Sequence, residues 1–181
     1  MNPNEVTTGK VRLSYANLFT PKAAKGSDKL KYSVSVIIPK TDTATIAKVN
    51  KAIAYAKEQG KSSKWNGTIP KKLVEPLHDG DIDREDDAAY ADSYYFNAKS
   101  DRPPIVIDRM KNEILDPLEV YSGCYARVNV SFYPYNFDGN KGVAVGLNAV
   151  QKIADGEPLG GGSVDVDAAF GDLDDEEGLF E

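Results

Sequence analysis

Cys124–Tyr135 (CYARVNVSFYPY) alternates without a break: Cys124, Ala126, Val128, Val130 and Phe132 share one parity, and Tyr125, Arg127, Asn129, Ser131, Tyr133 and Tyr135 share the other. Successive side chains of an extended chain point to opposite faces, so this pattern predicts a strand with one face in a core and one in solvent. Asp138-Gly139-Asn140 then supplies a turn, and Gly142–Val150 (GVAVGLNAV) returns as the partner strand. A connection this short has no room for a crossover, which makes the pair antiparallel.

Working outward, Ser93–Lys99 (SYYFNAK) and Pro104–Asp108 (PIVID) read as two shorter strands. Leu30–Ile38 (LKYSVSVII) alternates Leu30, Tyr32, Val34, Val36 and Ile38 against Lys31, Ser33 and Ser35, and Pro39 ends it. Thr7–Ala16 (TTGKVRLSYA) sets Val11, Leu13 and Tyr15 on the buried parity, with Lys10, Arg12 and Ser14 facing out. One helix is predicted after Pro39. Thr41 or Asp42 caps it, Ile46, Val49, Ile53 and Ala56 recur at helical spacing, Lys48, Lys51 and Lys57 face out, and Gly60 suits its C-terminal cap. Residues 61–92, with Trp65-Asn66-Gly67 and an acidic knot at Asp79–Asp92, are irregular and long for a loop, which marks them as functional or locally ordered. Five or six strands, one clear helix and no repeated strand-helix unit favour a small closed or nearly closed barrel; a β-sandwich stays open.

Charge divides the chain. All 22 Lys and Arg stand at or before Lys152, whereas ten of the 28 acids follow it, so a net charge of -6 conceals a basic body and an acidic tail. The body, residues 1–157, can attract a polyanion, and the extension, residues 158–181, can repel or imitate one. Gly156, Pro158 and Gly160-Gly161-Gly162 form the hinge between them, and the last ten residues (DLDDEEGLFE) cannot bury enough apolar surface to offset their ordering entropy, so the tail is expected to be disordered. No run of about 18 apolar residues exists to cross a bilayer, and the polar N-terminus has no signal-peptide core, so the expected compartment is the cytoplasm. Cys124 is a lone cysteine, expected to be a small buried hydrophobe.

The inventory for catalysis is poor. His78 is the single histidine, and no phosphate loop, nucleophile elbow or C-x-x-C pair occurs. Asp79-Gly80-Asp81-Ile82-Asp83 is out of register for a calcium loop, so no metal site and no cofactor are expected. The enzymatic alternative is a small metal-dependent nuclease using Asp79, Asp81, Asp83 and Glu85. A third reading is a scaffold whose tail is its only working part.

The stronger constellation is the outward parity of the strands. Arg12, Lys31, Tyr95, Lys99, Tyr125, Arg127, Tyr133 and Tyr135 interleave cations with rings. Single strands of nucleic acid are held in this way without regard to sequence: cations follow the phosphates, and rings stack on bases at about 1–3 kcal/mol each. Tyr and Arg are also ordinary occupants of an outer strand face, but three tyrosines on one strand face ask for a partner. Trp65 reads either as a further stacking ring or as a lid over the core. In the tail, Asp172, Asp174, Asp175, Glu176 and Glu177 lead to Leu179-Phe180, an apolar tip suited to a pocket on a partner whose rim is basic. The same carboxylates can occupy a basic groove and be displaced by DNA.

Tyr135-Asn136-Phe137 to Asn140-Lys141-Gly142, then Gly146-Leu147-Asn148-Ala149-Val150-Gln151 and Asp155-Gly156-Glu157-Pro158-Leu159-Gly160, resemble the phage single-stranded-DNA-binding proteins of the Enc34 type. The similarity runs from the first strand to the glycine hinge, and its most specific part is G-L-N-A-V-Q leading into D-G-E-x-L-G. It implies an OB fold, here a mainly β five-stranded antiparallel barrel with one main helix. It also implies sequence-independent binding and protection of single-stranded DNA in phage replication, recombination or repair, no catalytic residues and no cofactor, and for a phage-encoded chain the cytoplasm of the bacterial host. The tail is similar to those of phage T7 and bacterial single-strand binders, which recruit replication proteins such as DNA polymerase or helicase; here Glu181 follows Phe180, unlike tails that finish on the aromatic residue. The early helix also differs from the simplest OB order. A homodimer, with the tail of one subunit over the groove of the other, is compatible with the sequence.

Overall fold

The computed structural model describes residues 2–159 and Phe170. Its strands are β1 (Glu5–Thr7), β2 (Val11–Ala23), β3 (Leu30–Pro39), β4 (His78–Asp79), β5 (Ser93–Ser100), β6 (Ile105–Ile107), β7 (Tyr125–Phe137) and β8 (Asn140–Ala154). The helices are α1 (Thr43–Ser63) and the short α2 (Gly80–Asp83), with a single 3-10 turn at Ala88–Tyr90. Five of the strands close a ring, in which β2 pairs with β3, β3 with β5, β5 with β8, β8 with β7 and β7 with β2. Four junctions are antiparallel, and the last, β5 to β8, is a parallel contact at Lys99 and Gly146. This is the partly open, five-stranded ring of an OB fold.

The quoted stretch builds the longest junction of that ring. Phe137 stands opposite Asn140, and the two residues between them, Asp138 (φ 49) and Gly139 (φ 86), are both left-handed. That conformation matches the right-handed twist of the flanking strands, and Asp-Gly is the pair that adopts it at low cost. Ala126, Val128, Val130 and Phe132 are buried, as their parity requires, with Cys124 beside them. They meet Leu13, Val34, Val36, Ile38, Phe96, Leu147 and Val150 in one core, where the rings of Phe96 and Phe132 pack edge to face at 5.6 Å. Burial in this apolar setting pushes the Cys124 thiol above its usual range.

Helix α1 begins where predicted. Asp42 is its N-cap, its carboxylate accepting from the Thr45 N–H at 3.2 Å, and Val49, Ala52, Ile53 and Ala56 face the core. Its end differs from expectation, because the helix runs on to Ser63 and Gly60 is internal. A Cβ at Gly60 would lie 2.6 Å from Pro134 and 2.7 Å from the ring of Trp65. Close packing, not capping, requires that glycine.

Two further expectations are corrected by the architecture. Val11 and Leu13 are buried, but Tyr15 is 57% exposed: the β2–β3 register shifts between Ser14 and Asn17, and Tyr15 adopts φ 47. This bulge inserts a residue and reverses the parity beyond it. Leu30, expected to be buried, is exposed at the start of β3. Residues 61–92 are ordered. β4 pairs with β5, Lys40 Nζ reaches Asp79 and Asp81 at 2.9 and 2.8 Å, and the Tyr90 hydroxyl donates to Ser35 Oγ at 2.9 Å. The segment lies over the outer side of β3 and β5 and buries Ile37, Tyr90 and Tyr95 in a second, smaller cluster.

Candidate nucleic-acid interface

The parts of β3 and β5 left uncovered form the floor of a groove. Register places Ser33 opposite Lys99 and Ser35 opposite Asn97, so Lys31, Ser33, Asn97 and Lys99 all point outward from neighbouring strands. Two hollows meet on that floor and share Lys31 and Lys99. One, of about 410 Å³, is lined by Tyr133 and Tyr135 of β7, by Val143–Val145 of β8, and by Val74–Pro76 and His78, with Val74 bridged to Gly142 of β8. The second, of about 490 Å³, runs under the β2–β3 connection and is lined by Asn17, Lys22, Lys25, Ser27 and Lys29.

Within the groove the charges are unequally satisfied. Lys31 stands 3.4 Å from Asp101, and Glu75 is held by Lys57 at 2.6 Å. Lys22, Lys25, Lys29 and Lys99 have no ion-pair partner among the described residues. Tyr133 is 46% exposed on the wall, and Tyr135 stands next to it. The face therefore offers a row of ammonium groups over a polar strand floor, with rings along one wall. Ammonium groups in a row suit backbone phosphates and exposed rings suit bases. The floor is built by β3 and β5, the second and third strands of the ring in chain order, the face on which OB folds hold oligonucleotides.

The outward-facing residues picked from the sequence divide into four groups. Lys31, Lys99, Tyr133 and Tyr135 come together in the groove. Arg127 is exposed but lines a separate hollow with Lys48, Lys51 and Tyr55 of α1, and its Nε donates to the Thr8 carbonyl at 3.1 Å. Arg12 and Tyr125 sit at the far end of β7. There the guanidinium donates to the carbonyls of Gly123 at 3.1 Å and Glu157 at 2.7 Å, and it lies 5.7 Å from the Tyr125 ring, with Lys10 at 5.3 Å. Arg12 ties β2 to the β6–β7 connection and to the end of the body, and neither Arg12 nor Tyr125 lines the groove.

Tyr95 is corrected as an open stacking ring, and of the two readings of Trp65 the structure has the lid. Tyr95 does point away from the barrel, but it is 6% exposed, covered by Tyr90 edge to face at 4.9 Å, by His78 and by Arg84. Trp65 is 2% exposed under α1, and its indole N–H donates to the Tyr135 carbonyl at 3.1 Å. It is the lid over the core, and it braces one wall of the groove from below.

Sequence reasoning passed over the β2–β3 connection. Its signal was present: Lys22, Lys25, Lys29 and Lys31 crowd around Gly26-Ser27 between two strands. Of the four acids of the nuclease alternative, Asp79 and Asp81 pair with Lys40 and Asp83 faces His78 Nδ1 at 3.4 Å, while Glu85 has no ion-pair partner among the described residues. Among the described residues no three His, Cys, Asp or Glu converge as ligands. Asp172, Asp174, Asp175, Glu176, Glu177, Leu179 and Phe180 lie outside the described residues.

The D-G-E stretch acquires a physical account. Asp155 accepts from the Tyr121 hydroxyl at 2.9 Å and pairs with Lys152 at 2.7 Å, and these two contacts hold its carboxyl below the usual range. Gly156 passes so close to Gly123 that a Cβ would strike the Gly123 carbonyl, and the Glu157 carbonyl is the one Arg12 holds. The motif is a clamp that ties the end of the body to the β6–β7 connection.

The chain has relatives among known proteins. Residues 4–180 match the family described as Enterobacter phage Enc34, ssDNA-binding protein. "Putative protein p50" of Acyrthosiphon pisum secondary endosymbiont phage 1 is 31% identical over 179 residues, covering 93% of this chain and 94% of that one. Among solved structures, the single-stranded DNA-binding protein from bacteriophage Enc34 in complex with ssDNA superposes with a TM-score of 0.77 at 23% identity, over 87% of this chain and 90% of that one. For gp2.5, a single-stranded DNA binding protein encoded by bacteriophage T7, the TM-score is 0.58 at 18% identity, over 87% and 95% of the two chains. At these identities the structural likeness is one of fold.

Proposed function

The chain belongs to the Enc34 single-stranded-DNA-binding protein family, and from that premise we propose that it coats single-stranded DNA along the β3–β5 groove, without reading sequence, during phage replication, recombination or repair. The observation that carries the reading is the meeting of two hollows at Lys31 and Lys99, with unpaired lysines along one and the Tyr133 and Tyr135 rings along the other. Each lysine neutralises a phosphate and releases a counterion, which rewards any sequence equally. Every base has a π-face for the rings, so stacking accepts one base as readily as another. No bond of the DNA is broken, and no cofactor takes part.

The division of labour follows the charge. Residues 1–157 form the binding body, and residues 158–181 form an acidic extension whose carboxylates compete with DNA for the groove. Asp172, Asp174, Asp175, Glu176 and Glu177, with Leu179 and Phe180 at the tip, recruit replication proteins such as a polymerase or helicase once DNA has displaced them from the groove.

Fluorescence anisotropy of a labelled oligo-dT tests both halves, using the full chain and a version ending at Leu159, which keeps the Leu159 N–H to Ser122 carbonyl bond at 2.8 Å. Both bind, the shorter form more tightly, and log affinity falls with log salt by about 0.7 per phosphate neutralised. Salt-insensitive binding, or none, removes the reading. Degradation of the strand on adding magnesium returns the nuclease alternative in its place.

A further inference from the structure

Tyr15 is a large aromatic residue in the left-handed region (φ 47), a conformation that bulky side chains rarely adopt, and it is 57% exposed. Neither the core nor the strand pairing gains from it there. Strain of this kind persists where the surrounding structure imposes it and gathers at binding sites, and bulges next to such sites re-aim a side chain. The bulge is fixed on both sides: the Ala16 N–H donates to Ser122 Oγ at 3.0 Å, and Asn17 Nδ2 donates to the Tyr15 carbonyl at 3.2 Å and to Ser33 Oγ at 3.3 Å.

The ring is also backed. The Arg84 guanidinium lies 5.3 Å from the Tyr15 ring centroid and donates to its hydroxyl at 3.3 Å, while its own position is set by the rings of Tyr90 and Tyr95 at 5.2 and 5.8 Å. A guanidinium over an aromatic face supports it and leaves the remaining surface for another flat group. Tyr15 further lines a small hollow with Lys22, and Lys22 lines the groove of the proposed DNA track. Asp87 stands in the same hollow, its carboxylate accepting from the Ala89 N–H at 3.1 Å. A phosphate is unwelcome beside that carboxylate; a neutral base is not.

We propose that Tyr15, backed by Arg84, is a nucleobase-stacking platform at the β2 end of the groove, with Lys22 taking the next phosphate on its groove side, which Asp87 does not line. The inference rests on the function proposed above and extends the track beyond the Tyr133 and Tyr135 wall.

Three variants of the full chain test it in the oligo-dT titration. Tyr15→Gly removes the ring and the strain together, since glycine occupies positive φ freely. Affinity is expected to fall by about 5- to 150-fold, the range for losing one stacked base, with the salt slope unchanged and the thermal midpoint equal or higher. Tyr15→Phe keeps the ring and binds within about threefold of the unsubstituted chain. Tyr15→Trp places an exposed indole in a chain whose other Trp, Trp65, is buried, and saturating oligo-dT quenches its emission. Unchanged affinity of Tyr15→Gly with a lowered midpoint shows a structural brace and overturns the platform alone. Should that variant fail to fold, the emission of Tyr15→Trp decides, and an unquenched indole overturns the proposal. Absence of binding by the unsubstituted chain removes the functional reading itself, and the platform with it.

Discussion

At one end of β7, Tyr133 and Tyr135 stand beside a lysine-lined groove; at the other, Tyr125 lies between the cations of Lys10 and Arg12 with its groups drawn into a clamp. Both ends obey the same alternation and carry the same residue types. What differs is the neighbourhood. Near Tyr125 the β6–β7 connection and the end of the body present backbone carbonyls, and a guanidinium that meets two carbonyls is worth more as a tie than as a solvated charge. Near Tyr133 the paired strand presents Ala144 and the groove floor of β3 and β5 presents serine, asparagine and lysine, with no carbonyl cluster among the described residues to draw in a cation. Outward parity is therefore shared by an open face and a tied one, and by itself it does not mark an interface.

The largest effect expected of a single change tests the support beneath the open end. Trp65→Ala removes a fully covered indole and the donor to the Tyr135 carbonyl, and equilibrium unfolding in urea should report a loss of about 3–5 kcal/mol. A loss under 1 kcal/mol would mean that the ring packs far more loosely than its burial indicates. Next comes the contrast between the two ends. Tyr133→Ala should cost about 1–3 kcal/mol in oligo-dT affinity with little change in stability, whereas Tyr125→Ala should leave affinity unchanged and lower the thermal midpoint. Equal effects on affinity at both ends would erase the distinction. Smaller again is Arg12→Ala, which frees two carbonyls from a charged donor; about 1.5 kcal/mol of stability should be lost while DNA affinity holds.

The same contrast explains which parts of the molecule were legible in the sequence. The β7–β8 hairpin could be read because its alternation is long and its Asp-Gly turn has a conformation of its own, and α1 could be read from its period and its Asp42 cap. Arg12 could not be placed, because its partners are main-chain carbonyls from positions 111 and 145 residues away, and a carbonyl has no residue type to betray it. Tyr95 was assigned the correct face, yet a segment distant in sequence covers that face. Tyr15 was assigned the wrong face because a single inserted residue inverts a period-two pattern without altering composition. The lysines of the β2–β3 connection stand outside any alternation, so strand parity says nothing of them, although their crowding around Gly26-Ser27 is visible in the sequence.

The cover over Tyr95 supplies the smallest and most specific test, a third fate for an outward tyrosine beside the open and the clamped. Lys40 pins that cover by reaching Asp79 and Asp81, and Asp81 also accepts from the Asp92 N–H at 2.9 Å. The hydrogen bond from Lys40, then that from Asp92, hold the Asp81 carboxyl below the ordinary carboxylate value. A carboxyl whose folded value is depressed stabilises the fold fully above its unfolded value, and that contribution disappears as pH falls through the folded one. Asp81→Asn should therefore lower the thermal midpoint slightly at neutral pH, by an amount limited by solvent exposure of the pair. The gap between the variant and the unsubstituted chain should close on acidification below the ordinary carboxylate range. A gap that stays constant with pH would show that the amide fails for reasons of shape, and that charge does not hold the cover over Tyr95.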